Sequence, residues 1–163
     1  MEMDSMVHTE TAEVNANIKG GKFLSFFIGK EEYAIEILKV QEIIGLMSIT
    51  PVPKMPSYIR GVLNLRGKII PVMDLRMRFG FQSVEDTDET CIIVLQEDGY
   101  KMGAVVDKVS EVADISGSAI EPIPTVGRAE RNEYLAGIGK INDTVKLIVD
   151  VRKVLFDSQV DIA

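Results

Sequence analysis

Apolar residues fall in short runs along this chain, and a turn signal separates nearly every run from the next. Residues 23–28 (FLSFFI) are apolar and aromatic, residues 29–32 (GKEE) read as a turn, and residues 33–37 alternate. That sequence of features predicts a β-hairpin. Residues 40–44 suit strand or helix by period alone, and their β-branched content favours strand. Residues 49–53 are extended, because Pro51 and Pro53 remove donors and bias their predecessors towards β or polyproline II. Residues 61–65 and 69–73 flank a turn at 66–68, which predicts a second hairpin. Residues 74–79 then read as a short helix, capped by Asp74 and stopped by Gly80.

The pattern pauses at residues 82–90, which carry Glu85, Asp86, Asp88 and Glu89 and read as a solvated linker. No EF-hand spacing with its central glycine is present there, so calcium is not indicated. Strand texture resumes at 91–95 and 100–106 around the turn Glu97-Asp98-Gly99. It continues at 109–112, passes a proline-bearing stretch at 121–124, and ends with strands at 135–139 and 145–149 and a short helix at 150–156.

The two halves repeat. Val40-x-Glu42-Ile43 matches Val109-x-Glu111-Val112, 69 residues on, while Gly61, Asp74 and Arg76 match Gly137, Asp150 and Arg152, 76 residues on. A seven-residue insertion between Val112 and Gly137 reconciles the two spacings. A repeated hairpin, V-x-E-I/V strand, proline segment, hairpin and D-(L/V)-R helix argues for two similar β subdomains. Short strands with frequent turns suit small barrels, where closure removes exposed sheet edges.

Composition narrows the function. The 163 residues are 46% hydrophobic and 26% charged, enough to bury a core without disulfide or metal staples. The net charge of -7 and the lack of a cationic stripe exclude an ordinary nucleic-acid binder and oppose direct docking on anionic lipid. Aromatics at 6% leave little for base stacking. The single Cys91 permits no internal disulfide, and the acidic N-terminus has no signal-peptide character. No apolar run reaches the roughly 18–20 residues of a membrane span. Residues 1–21 are polar, aperiodic and end in Gly20-Gly21, which reads as a disordered tail; residues 158–163 form a second tail.

Catalytic constellations are scarce. His8, the only histidine, lies in the tail, so neither a Ser-His-Asp set nor a transition-metal site has its ligands. Cys91 opens an apolar strand and reads as a buried, inert thiol. Gly137-Ile-Gly139-Lys140 lacks phosphate-loop spacing and a long following helix. Asp74 and Asp150 stand just before short helices, where N-capping accounts for them. A small β-barrel enzyme using Asp or Glu chemistry remains the alternative, and a binding module is the better reading. The eight methionines suit either an adaptable surface or plain core, and Met47, Met55 and Met102 are open to both.

The densest signal runs from Ile59 to Arg76 (IRGVLNLRGKIIPVMDLR), with Asn64, Arg66 and Lys68 at a polar tip and Gly67 supplying positive φ. Arg66 suits either a partner contact or a loop tie to a carbonyl or carboxylate. With Glu32 to Ile43 (EYAIEILKVQEI), Gly103 to Val112 (GAVVDKVSEV) and Tyr134 to Gly139 (YLAGIG), it resembles the CheW family over roughly residues 22–157.

The resemblance implies a mainly β fold of two intertwined five-stranded SH3-like β-barrel subdomains with short helices, near residues 22–80 and 91–157, around a shared core. It implies no catalysis, cofactor or metal. It implies a cytoplasmic adaptor, monomeric alone, for chemotaxis signal transduction in a two-component system. Such proteins bind the cytoplasmic hairpin tip of chemoreceptors and the regulatory domain of the histidine kinase CheA. They gather in arrays at the inner face of the plasma membrane and touch it only through receptors. Carried over by position, the receptor-binding groove takes in Val40, Glu42, Gly61, Arg66, Val109 and Val112. The valines would give apolar contact, Glu42 and Arg66 hydrogen bonds or orientation, and Gly61 a close backbone approach. The valines suit strand core equally well. The kinase contact is implied at exposed barrel ends, with no residues named. A CheW-like domain excised from a CheV- or CheA-type protein is the neighbouring alternative; in a complete chain, nothing after Phe156 leaves space for their extra domains.

Overall fold

The computed structural model describes residues 19–82, 84–124 and 133–156. The expected tails lie outside the described residues but for 19–21, where Gly21 opens the first strand. The strands are β1 (Gly21–Ile28), β2 (Glu31–Glu36), β3 (Val40–Gly45), β4 (Ile59–Leu65), β5 (Lys68–Asp74), β6 (Cys91–Glu97), β7 (Tyr100–Val106), β8 (Lys108–Ile115), β9 (Ile120–Glu121), β10 (Leu135–Ile141) and β11 (Thr144–Val149). Two short helices, α1 (Leu75–Arg78) and α2 (Val151–Phe156), close the two halves.

The hairpins follow local chemistry. The β4–β5 turn places both Arg66 (φ 52°) and Gly67 (φ 90°) in the left-handed region, and Asn64 Oδ1 accepts the Gly67 N–H at 2.8 Å. That is the two-residue turn whose twist matches a hairpin. Asp74 caps α1 by accepting the Arg76 N–H at 3.0 Å, and Asp150 Oδ1 accepts the Lys153 N–H at 3.1 Å. Ile37 leaves the expected strand, and residues 37–39 form a 3₁₀ turn before β3.

The strands make two sheets, ordered β8-β1-β2-β11-β10-β9 and β3-β6-β7-β5-β4. Apart from the two-residue β9, the orders match strand for strand, and each contains one parallel pair, β2–β11 or β7–β5. The repeat is therefore structural. The backbone ladder agrees: the β4–β5 register shifts at Gly61 and the β10–β11 register shifts at Gly137. Likewise Asp74 N–H bonds the Tyr58 carbonyl at 2.7 Å and Asp150 N–H the Tyr134 carbonyl at 2.8 Å.

The resemblance implies intertwined subdomains near residues 22–80 and 91–157 and leaves the strand exchange between them open; the sheets show which strands cross. Hairpin β1–β2 of the first half sits with β8, β10 and β11, and hairpin β6–β7 of the second sits with β3, β4 and β5. Each half lends a hairpin to the other, so neither half of the sequence holds a complete sheet.

Three apolar clusters result. Leu63, Ile70, Val72, Ile92, Val94 and Val105 meet inside the five-stranded sheet, with Ile44 of β3 against them. Side chains from all five strands can share one cluster only if the sheet curls around them. Phe23, Ala34, Ile115, Ile120 and Ile148 do the same in the other sheet. Between the sheets lies the largest cluster, which includes Leu24, Phe26, Ile93, Leu95, Ala104 and Val106. Alternate residues of β1, β6 and β7 thus feed different cores. That is why these strands read as continuous apolar runs rather than as alternation. Arg78 marks the middle of the repeat: its guanidinium lies 4.6 Å from the ring centroids of both Tyr58 and Tyr134.

Residues 82–90 are more than a solvated linker. Arg60 grips Asp86 with two hydrogen bonds (2.9 and 3.3 Å), Arg76 adds a third at 3.3 Å, and Thr90 is buried. The acidic run therefore holds the crossover between halves against the fold.

Candidate functional site

Strands β3 and β8 carry the repeated V-x-E-I/V motif, and among the described residues each has one ladder neighbour, β6 and β1 respectively. They are the equivalent outer strands of the two sheets. Each ladder shifts register within the motif, at Val40/Glu42 in β3 and opposite Val109 and Val112 in β8. Bulges of this kind re-aim side chains at sheet edges. Cys91 ties the two strands to one place: it pairs with Gly45 at the end of β3, and its thiol takes a backbone hydrogen bond from Val109. Burial pushes that thiol up, and the Val109 bond only partly offsets it, so it stays protonated and unreactive.

The expected site residues separate into three groups. Glu42 and Arg66 come together as a surface ion pair that joins β3 to the β4–β5 turn. The hydrogen bond from Arg66 holds the Glu42 carboxyl below its usual range, and Gln41 adds a further bond at 3.2 Å. Arg66 is thus a loop tie to a carboxylate, and its guanidinium is still largely exposed. Val40 and Val109 are half-buried and pack on the shared core, so they present edges rather than whole side chains. Val112 is open, at 53% exposure.

Gly61 makes a close backbone approach within the chain itself. It is buried, and a Cβ there would meet the Thr50 carbonyl oxygen at 2.0 Å. The close backbone approach it permits is to the chain's own Thr50-Pro51, which bridges to Val62.

Sequence reasoning missed Ile43. It is the repeat partner of Val112 and is 43% exposed, and Leu46, Met47, Val52 and Met55, which follow it in the chain, are exposed as well. The motif match already paired Ile43 with Val112, so the signal was present. Of the methionines left open, Met47 and Met55 are exposed and Met102 is core.

A second exposed cluster lies elsewhere. Leu38 is 84% exposed and lines one hollow with the Asp98-Gly99 turn. Next to that turn, the Tyr100 and Phe156 rings meet at 5.5 Å, and Arg152 lies 5.4 Å from the Phe156 centroid. Arg152 also bonds Asp98 at 2.6 Å and Glu97 at 3.0 Å, while Lys39 pairs with Glu97. The patch therefore has an apolar centre and a rim of paired charges. Among the described residues, no group of His, Cys, Asp or Glu side chains is arranged to hold a metal ion. No helix there is long and apolar enough to cross a membrane.

A family model described as a CheW-like domain matches residues 22–159. Over 136 residues the sequence is 42% identical to "Chemotaxis protein CheW" of Klebsiella aerogenes, covering 83% of this chain and 82% of that protein. Over 134 residues it is 36% identical to the protein of the same name from Helicobacter pylori, covering 82% of this chain and 81% of that one. Among solved structures, the crystal structure of scaffolding protein TtCheW from Thermoanaerobacter tengcongensis superposes with a TM-score of 0.77 at 36% identity. That match covers 83% of this chain and 92% of the other.

Proposed function

The chain belongs to the CheW family, and from that premise we propose that it is a non-catalytic chemotaxis adaptor that couples chemoreceptors to the histidine kinase CheA. In this reading it is recruited to receptor arrays at the inner face of the plasma membrane through its partners. The observation that carries the reading is the pair of equivalent outer strands, β3 and β8, each offering an exposed aliphatic at the same motif position, Ile43 and Val112. A receptor tip is a helical hairpin, so it needs an apolar strip with a few fixed charges to set register. Ile43 and Val112, with the edges of Val40 and Val109, form the strip; Arg66 and Glu42 are the charges. Gly61 serves the groove indirectly, by seating the 50–51 segment beside β4.

The test is reconstituted CheA autophosphorylation with receptor-containing membranes, with and without this protein and its Arg66→Ala variant. Stimulation should require the protein. In the variant, the concentration needed for half-stimulation should rise by about fivefold or more, the scale of a lost charged contact at an interface rim. A folded protein that produces no stimulation with cognate partners would end the adaptor reading.

The kinase needs a separate face. We assign it the patch of Leu38, Tyr100 and Phe156, because an apolar centre ringed by paired charges is the make-up of a modest protein–protein contact. Phe156→Ser should weaken binding to the isolated regulatory domain of CheA by about tenfold, since aromatic anchors dominate such contacts. It should leave binding to a receptor hairpin fragment unchanged. Equal loss of both partners, or of neither, refutes the assignment.

A further inference from the structure

Lys146 is the one buried lysine among the described residues, at 2% side-chain exposure. Its neighbours along β11, Val145 and Leu147, are more exposed than it is. On β11 it shares a face with the buried Ile148, two residues on. The ammonium donates to Glu32 Oε2 at 2.9 Å, to Glu111 Oε2 at 3.0 Å and to Ser25 Oγ at 3.2 Å. Ser25 in turn donates to the Glu111 carbonyl at 3.1 Å. Three donors meet three acceptors, on β1, β2 and β8.

The fold itself does not ask for this network. In the other sheet, the repeat positions of Ser25 and Lys146 hold Val94 and Ile70, both in its apolar cluster, and that of Glu32 holds the half-buried Lys101. The same backbone is therefore filled in one half by aliphatics and in the other by a buried charge. Burying an ammonium is costly unless it is paired, so an apolar residue is the easier solution. Only the glutamate is common to both halves. Glu42 is fixed by Arg66 at the surface, and Glu111 is fixed from within by Lys146. In each half the cation comes from the equivalent hairpin, β4–β5 or β10–β11.

We propose that Lys146 is a positioning residue for partner binding: by holding Glu111 it fixes the bulged part of β8 and so the pose of Val109 and Val112. This rests on the groove proposed above. Glu111 stands between those two valines, and its carbonyl and carboxylate are both tied into the network, so the strand has little freedom to twist at that point. Burial disfavours the charged form, but the hydrogen bonds Lys146 donates to Glu32 and Glu111 outweigh it and keep the Lys146 pKa raised, so the clamp stays charged at neutral pH.

The test measures affinity for a soluble coiled-coil fragment of a receptor hairpin tip and, in parallel, for the CheA regulatory domain. Lys146→Met keeps the stem and removes the charge; Glu111→Gln removes the clamp's outer partner and leaves the lysine paired with Glu32. Both should weaken the receptor fragment by about tenfold and leave the kinase domain within about twofold. In a double-mutant cycle, Lys146→Met and Val112→Ala should be strongly non-additive, because both act through one strand. Should Lys146→Met fail to fold, Glu111→Gln alone decides. Equal loss of both partners, additive effects, or unchanged receptor binding in both variants overturns the proposal. Val112→Asp reports on the groove itself. Receptor binding that survives it sinks the groove and this inference with it. Binding lost in Val112→Asp but intact in Lys146→Met and Glu111→Gln sinks the Lys146 role alone.

Discussion

Arg76→Met is expected to lower the unfolding free energy by about 3–5 kcal/mol at neutral pH, the scale for removing one partner of a buried charge pair. Methionine replaces the length of the side chain, so the loss reports on charge more than on volume. Arg76 is 1% exposed and organises three carboxylates. Its Nε and Nη2 grip Asp74 at 2.9 and 2.8 Å, Nη1 reaches Asp107 at 2.9 Å, and Nη2 also reaches Asp86 at 3.3 Å. Asp107 in turn accepts the Gly29 N–H at 2.7 Å. One guanidinium thus joins α1, the acidic connector, the β7–β8 junction and the β1–β2 turn. After its removal, the nearest cation to the buried Asp74 is Arg60, at 3.9 Å. Small domains hold roughly 5–15 kcal/mol in all, so the variant should stand near the edge of folding.

The pH dependence carries a sign that identifies the cause. In the native protein, hydrogen bonding from Arg60, and next from Arg76, holds Asp86 below its usual range. A depressed folded pKa gives stability that is whole above the unfolded value, near 4, and is lost as the pH falls through the folded one. In the variant, Asp86 loses one of its two guanidiniums, so part of that pH-dependent stability goes with it. The deficit of Arg76→Met should therefore hold between about pH 7 and pH 5 and shrink once the pH falls below about 4. Urea unfolding at about pH 7, 5 and 3 measures it. A deficit under about 1 kcal/mol, or one that grows on acidification, would show that the cluster does not hold the crossover.

How much of this was legible in sequence depended on how local the cause was. The hairpins were, because Gly67 and the Asp98-Gly99 pair sit inside the turns they make. The repeat was, because V-x-E-I/V, glycine, and D-(L/V)-R recur at fixed spacings. The hairpin exchange was not. β1–β2 and β6–β7 have nearly the same apolar pattern, so either could complete either sheet, and connection geometry decides which. The connector was misread for a similar reason. Four carboxylates in nine residues look solvated, and the guanidiniums that bind Asp86 stand 26 and 10 residues back in the chain. Lys146 was invisible because alternation in β11 runs out of phase with expectation: Val145 faces out at 52% exposure while the lysine faces in. Arg76 and Arg152 match in motif and differ in fate, since the connector covers only the first; the second is 60% exposed. Among the candidate residues, motif position named Glu42, Arg66 and Val112; the structure pairs the first two and leaves the third exposed. Motif position stopped short of Ile43, whose exposure depends on how the outer strand ends.

Gly61→Ala should destabilise the protein by about 3 kcal/mol or more, the upper range of overpacking plus backbone strain. Gly61 has φ +140°, a region side-chain-bearing residues rarely adopt. The added Cβ would lie 2.0 Å from the Thr50 carbonyl oxygen, 2.7 Å from its carbon and 2.9 Å from Pro51 Cα. All three are backbone atoms, so no rotamer change relieves the clash. Either the 50–51 segment moves away or β4 does. Both options strain the paired hydrogen bonds from Thr50 N–H to Val62 at 2.8 Å and from Val62 N–H to Thr50 at 2.9 Å. The repeat supplies the control. At Gly137 a Cβ would meet Ile120 Cγ2 at 3.0 Å and the Glu121 carbonyl oxygen at 3.1 Å; the first yields to a small side-chain shift, and the second is a backbone contact relieved by a movement of only a few tenths of an ångström. Gly137→Ala should therefore cost about 1 kcal/mol, close to an ordinary core substitution. Thermal melts of the two variants compare them directly. Because Met47, Val52 and Met55 flank the displaced 50–51 segment, the surviving folded fraction of Gly61→Ala should also couple receptor to kinase poorly, whereas Gly137→Ala should couple normally once folded. Equal melting shifts would show that backbone crowding at Thr50 is not what reserves this position for glycine.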